Sequence, residues 1–73
     1  MDELDFTLRG EHIALDALLK ASGLAPSGGA ARALIVEGQV LVDGQVEGRK
    51  TRKIRAGQRV VLGDVTVRVQ GPA

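Results

Sequence analysis

The 73-residue sequence predicts an α+β domain, two packed helices on a small antiparallel sheet. Three observations predict it. Apolar residues recur at helical spacing in two early segments, Ile13–Leu19 and Ala31–Ile35. After Gln39 the period shortens to two, as in Val40/Val42 and Val65/Val67/Val69. Asp43-Gly44 and Gly63-Asp64 are the dipeptides that tight hairpins need. Helical segments followed by strands give a layered domain with the helices on one face of the sheet.

Each element has its own signal. Leu4, Phe6 and Leu8 alternate with Asp5, Thr7 and Arg9, a short strand that Gly10 ends. From His12 to Ala21 the spacing predicts a helix, with Leu15, Leu18 and Leu19 on one face and His12, Asp16 and Lys20 on another. Gly23 is its left-handed stop, and Leu24 packs behind it. Pro26-Ser27 opens the second helix with Ser27 as N-cap, Ala31, Leu34 and Ile35 form its buried stripe, and Gly38 ends it. Val40 and Val42 then point to one side of a strand that turns at Asp43-Gly44 and returns through Val46. Ala56-Gly57 leads into a strand at Arg59–Leu62, and Gly63-Asp64 turns it into Val65–Val69. There is no internal repeat and no linker, so residues 1–73 are read as a single domain.

The net charge of +1 conceals a division. Residues 1–37 carry six acidic and three basic side chains, net −3, whereas residues 38–73 carry three acidic and seven basic, net +4. Six of the ten Lys and Arg fall between positions 49 and 59. The run Arg49-Lys50-Thr51-Arg52-Lys53-Ile54-Arg55 follows a hairpin and contains an apolar residue, Ile54, expected in the core. Cations pinned at both ends form a fixed array, which suits a phosphate backbone of defined shape. The start of the second helix adds a second candidate. Gly28 and Gly29 leave first-turn N–H groups open to a ligand, and Arg32 lies one turn further on the same face. Unpaired N–H groups, the helix dipole and a cation together suit a phosphate.

Other classes find little support. The chain has no Cys, hence neither disulfides nor a thiolate metal site. One histidine, His12, cannot hold a metal alone, and Ser27 is a cap with no histidine near it in sequence. No catalytic constellation is visible, so no enzyme, cofactor or metal is expected. The acidic start Met1-Asp2-Glu3-Leu4-Asp5 is unlike a secretory signal, and no apolar run reaches the roughly 20 residues of a membrane span. A monomeric cytoplasmic protein is expected.

Certain residues also carry a family resemblance. Leu24-Ala25-Pro26-Ser27, then Ala31-Arg32-Ala33-Leu34-Ile35, then Glu37-Gly38-Gln39-Val40-Leu41-Val42-Asp43-Gly44 resemble the RNA-binding domain named after ribosomal protein S-four. Ser27-Gly28-Gly29, with Val46-Glu47-Gly48-Arg49-Lys50 and Lys53-Ile54, is similar to its small stand-alone bacterial branch. The resemblance runs from about Ile13 to Asp64 and implies an αL-type motif, helix–turn–helix plus hairpin, that binds RNA without catalysis. Residue by residue it points to Ser27, Gly28, Gly29, Arg32, Gln39, Arg49 and Lys50. Gly28 stands where many members have a basic residue after the serine, which shifts the expected contact surface towards Arg49, Lys50, Arg52, Lys53 and Arg55. The implied partner is structured ribosomal RNA or tRNA, and the implied role is that of an accessory factor in ribosome or translation biology. The alternative for the basic hairpin is docking to an acidic protein.

Aromatic content sets the mode of recognition. Phe6 is the only aromatic residue, and its strand position assigns it to the core. Readers of single-stranded RNA stack bases on aromatic rings, which this chain lacks on its surface. A hairpin or junction RNA is therefore expected to bind better than an unstructured oligomer of equal length. A competition assay checks this; equal competition by poly-pyrimidine single strands would refute it.

Overall fold

In the computed structural model, which describes residues 2–72, two short helices lie over a five-stranded sheet. The elements in chain order are β1 (Asp2–Thr7), β2 (Ile13–Ala14), α1 (Leu15–Ala21), α2 (Gly28–Val36), β3 (Val40–Val42), β4 (Gln45–Val46), β5 (Lys53–Ile54), β6 (Arg59–Leu62) and β7 (Val65–Gln70). The main sheet has the order β1-β7-β6-β3-β4, and β2 and β5 form a separate two-stranded ribbon. The α+β class follows directly.

Periodicity, helical in α1 and α2 and alternating in the strands, explains the core. Leu15, Leu18 and Leu19 of α1 are fully buried, as are Ala31 and Ile35 of α2 and Val40, Val60 and Val67 of the sheet. Leu34 packs half-buried against the same cluster. Both helices end as the glycines dictate. The N–H groups of Gly23 and Leu24 donate to Lys20 and Leu19, and those of Gly38 and Gln39 donate to Ile35 and Leu34. These paired bonds need a left-handed residue just past the helix, and Gly38 takes it at φ 79°. At the hairpin, Asp43 and Gly44 sit at φ 51° and 85°, the two positive values of a type I′ turn. The Asp43 carboxylate then accepts from the Arg59 N–H and the Gln58 amide, tying the turn to β6.

Three features depart from expectation. β1 runs parallel to β7, so the sheet is mixed, not purely antiparallel. Alternation is identical in either direction; the register that sets Leu4 beside Val67 and Phe6 beside Val69 keeps the apolar set on the helix side. Helix α1 begins only at Leu15, directly after Ile13-Ala14, which pairs with Ile54 and Lys53. Backbone pairing with β5 outweighs the helical spacing there. Phe6 is half-buried at the margin of the core, not within it.

Ile54 has no exposed surface and brings β5 onto the core. Ile54→Ala is expected to cost about 2–5 kcal/mol of unfolding free energy, measurable by denaturant titration; a loss well under 1 kcal/mol would mean the loop is not anchored there.

Candidate functional site

The seven-residue helix α1 is too short to persist alone, and its N-cap is Ala14, which has no capping side chain. The basic segment supplies the cap instead. The Leu15 N–H donates to the Arg52 carbonyl at 2.9 Å and the Asp16 N–H to the Lys50 carbonyl at 3.0 Å. The Arg52 N–H donates to the Arg49 carbonyl, closing a turn over Arg49–Arg52. The run of cations is thus an arch whose inward-facing carbonyls are bound to a helix start. Gly48, Arg49, Lys50, Thr51, Arg52 and Lys53 line a shallow, open concavity on it.

Helix α2 opens as its sequence requires. Ser27 Oγ accepts from the Ala30 N–H at 3.1 Å and the Ser27 carbonyl from the Ala31 N–H. The Gly28 and Gly29 N–H groups precede these and belong to the turn that a helix leaves unpaired. The first turn carries no acidic residue. Arg32 bends back along this turn, so that a Cβ on Gly28 would lie 3.3 Å from Arg32 Nη1. The same Nη1 is 3.4 Å from Asp16 Oδ2. Asp16 therefore joins the two parts: its N–H is held by the Lys50 carbonyl and its carboxylate faces Arg32.

Ser27, Gly28, Gly29 and Arg32 come together at the start of α2, while Arg49, Lys50, Arg52 and Lys53 share the arch. Gln39 lies at the far end of α2, a helix about 13 Å long. There its amide donates to Glu37, and it precedes Val40, whose carbonyl accepts the Glu47 N–H at the foot of the arch. Arg55 stands apart, beyond β5, with its N–H donated to Gln58. Arg52 differs from the rest: its guanidinium turns inward, with Nη1 2.6 Å from Glu47 Oε1.

Glu47 and Asp16 are the residues that sequence reasoning missed. Glu47 is the buried charged side chain among the described residues, 8% exposed. Besides Arg52, it accepts from the Arg49 N–H at 2.9 Å and from Arg49 Nε at 3.4 Å. The Arg52 hydrogen bond first, and the Arg49 N–H second, hold its pKa down at about 2. The available signal was a lone acid two and five residues ahead of two arginines. Asp43 is likewise held below the ordinary carboxylate range, chiefly by the Arg59 N–H and then by Gln58. Lys50, Lys53 and Arg55 form no ion pair among the described residues.

A family model of the S4 domain matches residues 6–70 of this chain, from β1 through both helices, the hairpin and the arch to β7. The chain belongs to the S4 domain family. Two relatives of this S4 domain, the YbcJ proteins of Escherichia coli (strain K12) and Shigella flexneri, are each 50% identical to it over 58 residues. That stretch is 80% of this chain and 83% of each relative. The solution structure of E. coli YbcJ, described as having an αL motif involved in RNA binding, matches with a TM-score of 0.73 at 44% identity. It covers 96% of this S4 domain and 90% of the YbcJ chain.

The Glu47 pairing predicts a pH effect of definite sign. Its folded pKa, about 2, lies below the ordinary 4.5, so its contribution is complete above pH 4.5 and is lost as pH falls towards 2. Thermal midpoints of the protein and of Glu47→Gln are expected to differ most above pH 5 and to converge near pH 2. A constant difference across that range would contradict the pairing.

Proposed function

We propose that this S4 domain binds structured RNA through one continuous surface, the start of α2 together with the Arg49–Lys53 arch. The observation that carries the reading is the meeting of both parts at Asp16, which sets Arg32 and the Lys50 backbone on the same residue. The RNA-binding αL motif reported for YbcJ supports it. Ser27, Gly28 and Gly29 present N–H groups to a phosphate, and Arg32 exchanges a half-exposed ion pair of small worth for the same anion. Arg49, Lys50 and Lys53 follow the backbone, with Gln39 and Arg55 at the margins of the surface. Structured ribosomal RNA or tRNA is the ligand class, because a phosphate-reading surface without exposed aromatic rings selects shape.

The role is that of a non-enzymatic accessory factor in ribosome or translation biology, acting in the cytoplasm as a monomer. Residues 1–73 act as one RNA-binding unit. Among the described residues no group of three metal-ligating side chains is present, and no helix is long and apolar enough to cross a membrane.

Replacing Gly28 and Gly29 by Glu sets carboxylates against the incoming phosphates, and RNA affinity should fall strongly while the circular dichroism spectrum is kept. Unchanged affinity in the folded variant would remove α2 from the surface. With phosphate contacts from Arg32, Arg49, Lys50 and Lys53, the slope of log K against log salt is expected to be about −2.8 to −3.6. Arg49→Gln with Lys50→Gln should reduce its magnitude by roughly 1.4 to 1.8 for any RNA sequence. An unaltered slope would mean that the arch is a solvated loop, and retention of an acidic protein in place of RNA would favour protein docking.

A further inference from the structure

A carboxylate buried beneath a phosphate-binding loop is electrostatically unfavourable for binding, yet Glu47 occupies that place with the most extensive side-chain bonding in the arch. Its own N–H is fixed to the Val40 carbonyl of β3. Its Oε2 takes the Arg49 N–H at the start of the arch and its Oε1 takes the Arg52 guanidinium at the end. Between these grips the Lys50 and Arg52 carbonyls are delivered to α1. The Arg52 side chain is about one-third exposed, against three-quarters for Arg49.

We propose that Glu47 is the positioning residue of the RNA-binding arch, and that Arg52 is its tether and makes no phosphate contact. The inference rests on the RNA-binding reading above. Glu47 spends local charge to gain order: it neutralises one cation and holds Arg49 and Lys50 in the conformation that meets the phosphates. A loop already ordered loses less conformational freedom on binding than a mobile one of higher charge.

The sign of one substitution tests this. Glu47→Gln raises the net charge from +1 to +2, so charge alone predicts tighter binding and a steeper salt slope. Positioning predicts the reverse, a loss of about tenfold in affinity for an RNA hairpin at fixed salt and no steepening of the slope. Ile54→Val is the control for lowered stability, since it weakens the anchor without touching a charge; its affinity should stay within about twofold, too little to register as a lost contact. Equal or tighter binding by a folded Glu47→Gln protein overturns the proposal, as does an equal loss in Ile54→Val. Should Glu47→Gln fail to fold, the unaltered protein decides. On titration with the hairpin, NMR signals of the Arg52 guanidinium should keep their Glu47-bonded positions while those of Arg49 and Lys50 move. Movement of Arg52 off Glu47 onto phosphate refutes the tether. Absence of any RNA binding by the unaltered protein refutes the functional reading and this inference with it, whereas normal binding with a silent Glu47→Gln refutes this inference alone.

Discussion

The rest of the structure depends on two backbone hydrogen bonds, from Leu15 and Asp16 of α1 to the carbonyls of Arg52 and Lys50. Helix α1 contributes three fully buried leucines to a core that a chain of this length can barely assemble. It has two turns, and no side chain at Ala14 to start it. The segment that completes its first turn is the segment richest in cations. Core and surface are therefore not separable: the conformation of the arch is set by the helix it caps, and the helix persists because the arch is there.

Charge is arranged around the same joint. Arg32 faces Asp16, Arg49 and Arg52 face Glu47 and Arg68 faces Asp5, so four of the cations are matched to carboxylates. Among the described residues six cations form no ion pair, and three of these, Lys50, Lys53 and Arg55, fall in one stretch of chain, with Arg9, Lys20 and Arg59 outside it. A protein of net charge +1 can in this way present a locally positive surface without a large overall self-repulsion. The matched pairs differ in kind. Arg32 is half-exposed and free to change partners, whereas Arg52 is held at 2.6 Å against a buried oxygen. Exposed pairs are weak and exchangeable; a charge-assisted bond to a buried acid is a fixture.

Much of this was legible in the sequence because it is local. Ser27 caps α2, Gly23 and Gly38 end the helices, and Asp43-Gly44 turns the hairpin, each decided by residues within a few positions of one another. What escaped was non-local. Ile13 and Ala14 fit the helical spacing, but their backbone is claimed by β5, some 40 residues on. The direction of β1 is invisible to a period-two pattern, and Phe6 sits at the core margin because the sheet ends beside it. The candidate residues at the start of α2 and in the arch were readable as charge and cap chemistry. Their division into matched and unmatched cations was not, since it hangs on where Glu47 and Asp16 lie in space.

The parallel pairing of β1 with β7 has a consequence for how the chain reaches this state. Asp2 lies opposite Val65 and Thr7 opposite Gln70, so among the described residues β1 has β7 as its single neighbour in the sheet. Such a contact joins residues 63 positions apart and is entropically the slowest kind to form. During synthesis Leu4, Phe6 and Leu8 must wait with their apolar face unpaired until β7 emerges. Helix α2 and the Asp43-Gly44 hairpin, whose contacts are short-range, can assemble meanwhile, and α1 follows once the arch that caps it has emerged. The acidic side chains at positions 2, 3 and 5 keep that waiting strand charged, and a charged strand edge resists pairing with another chain.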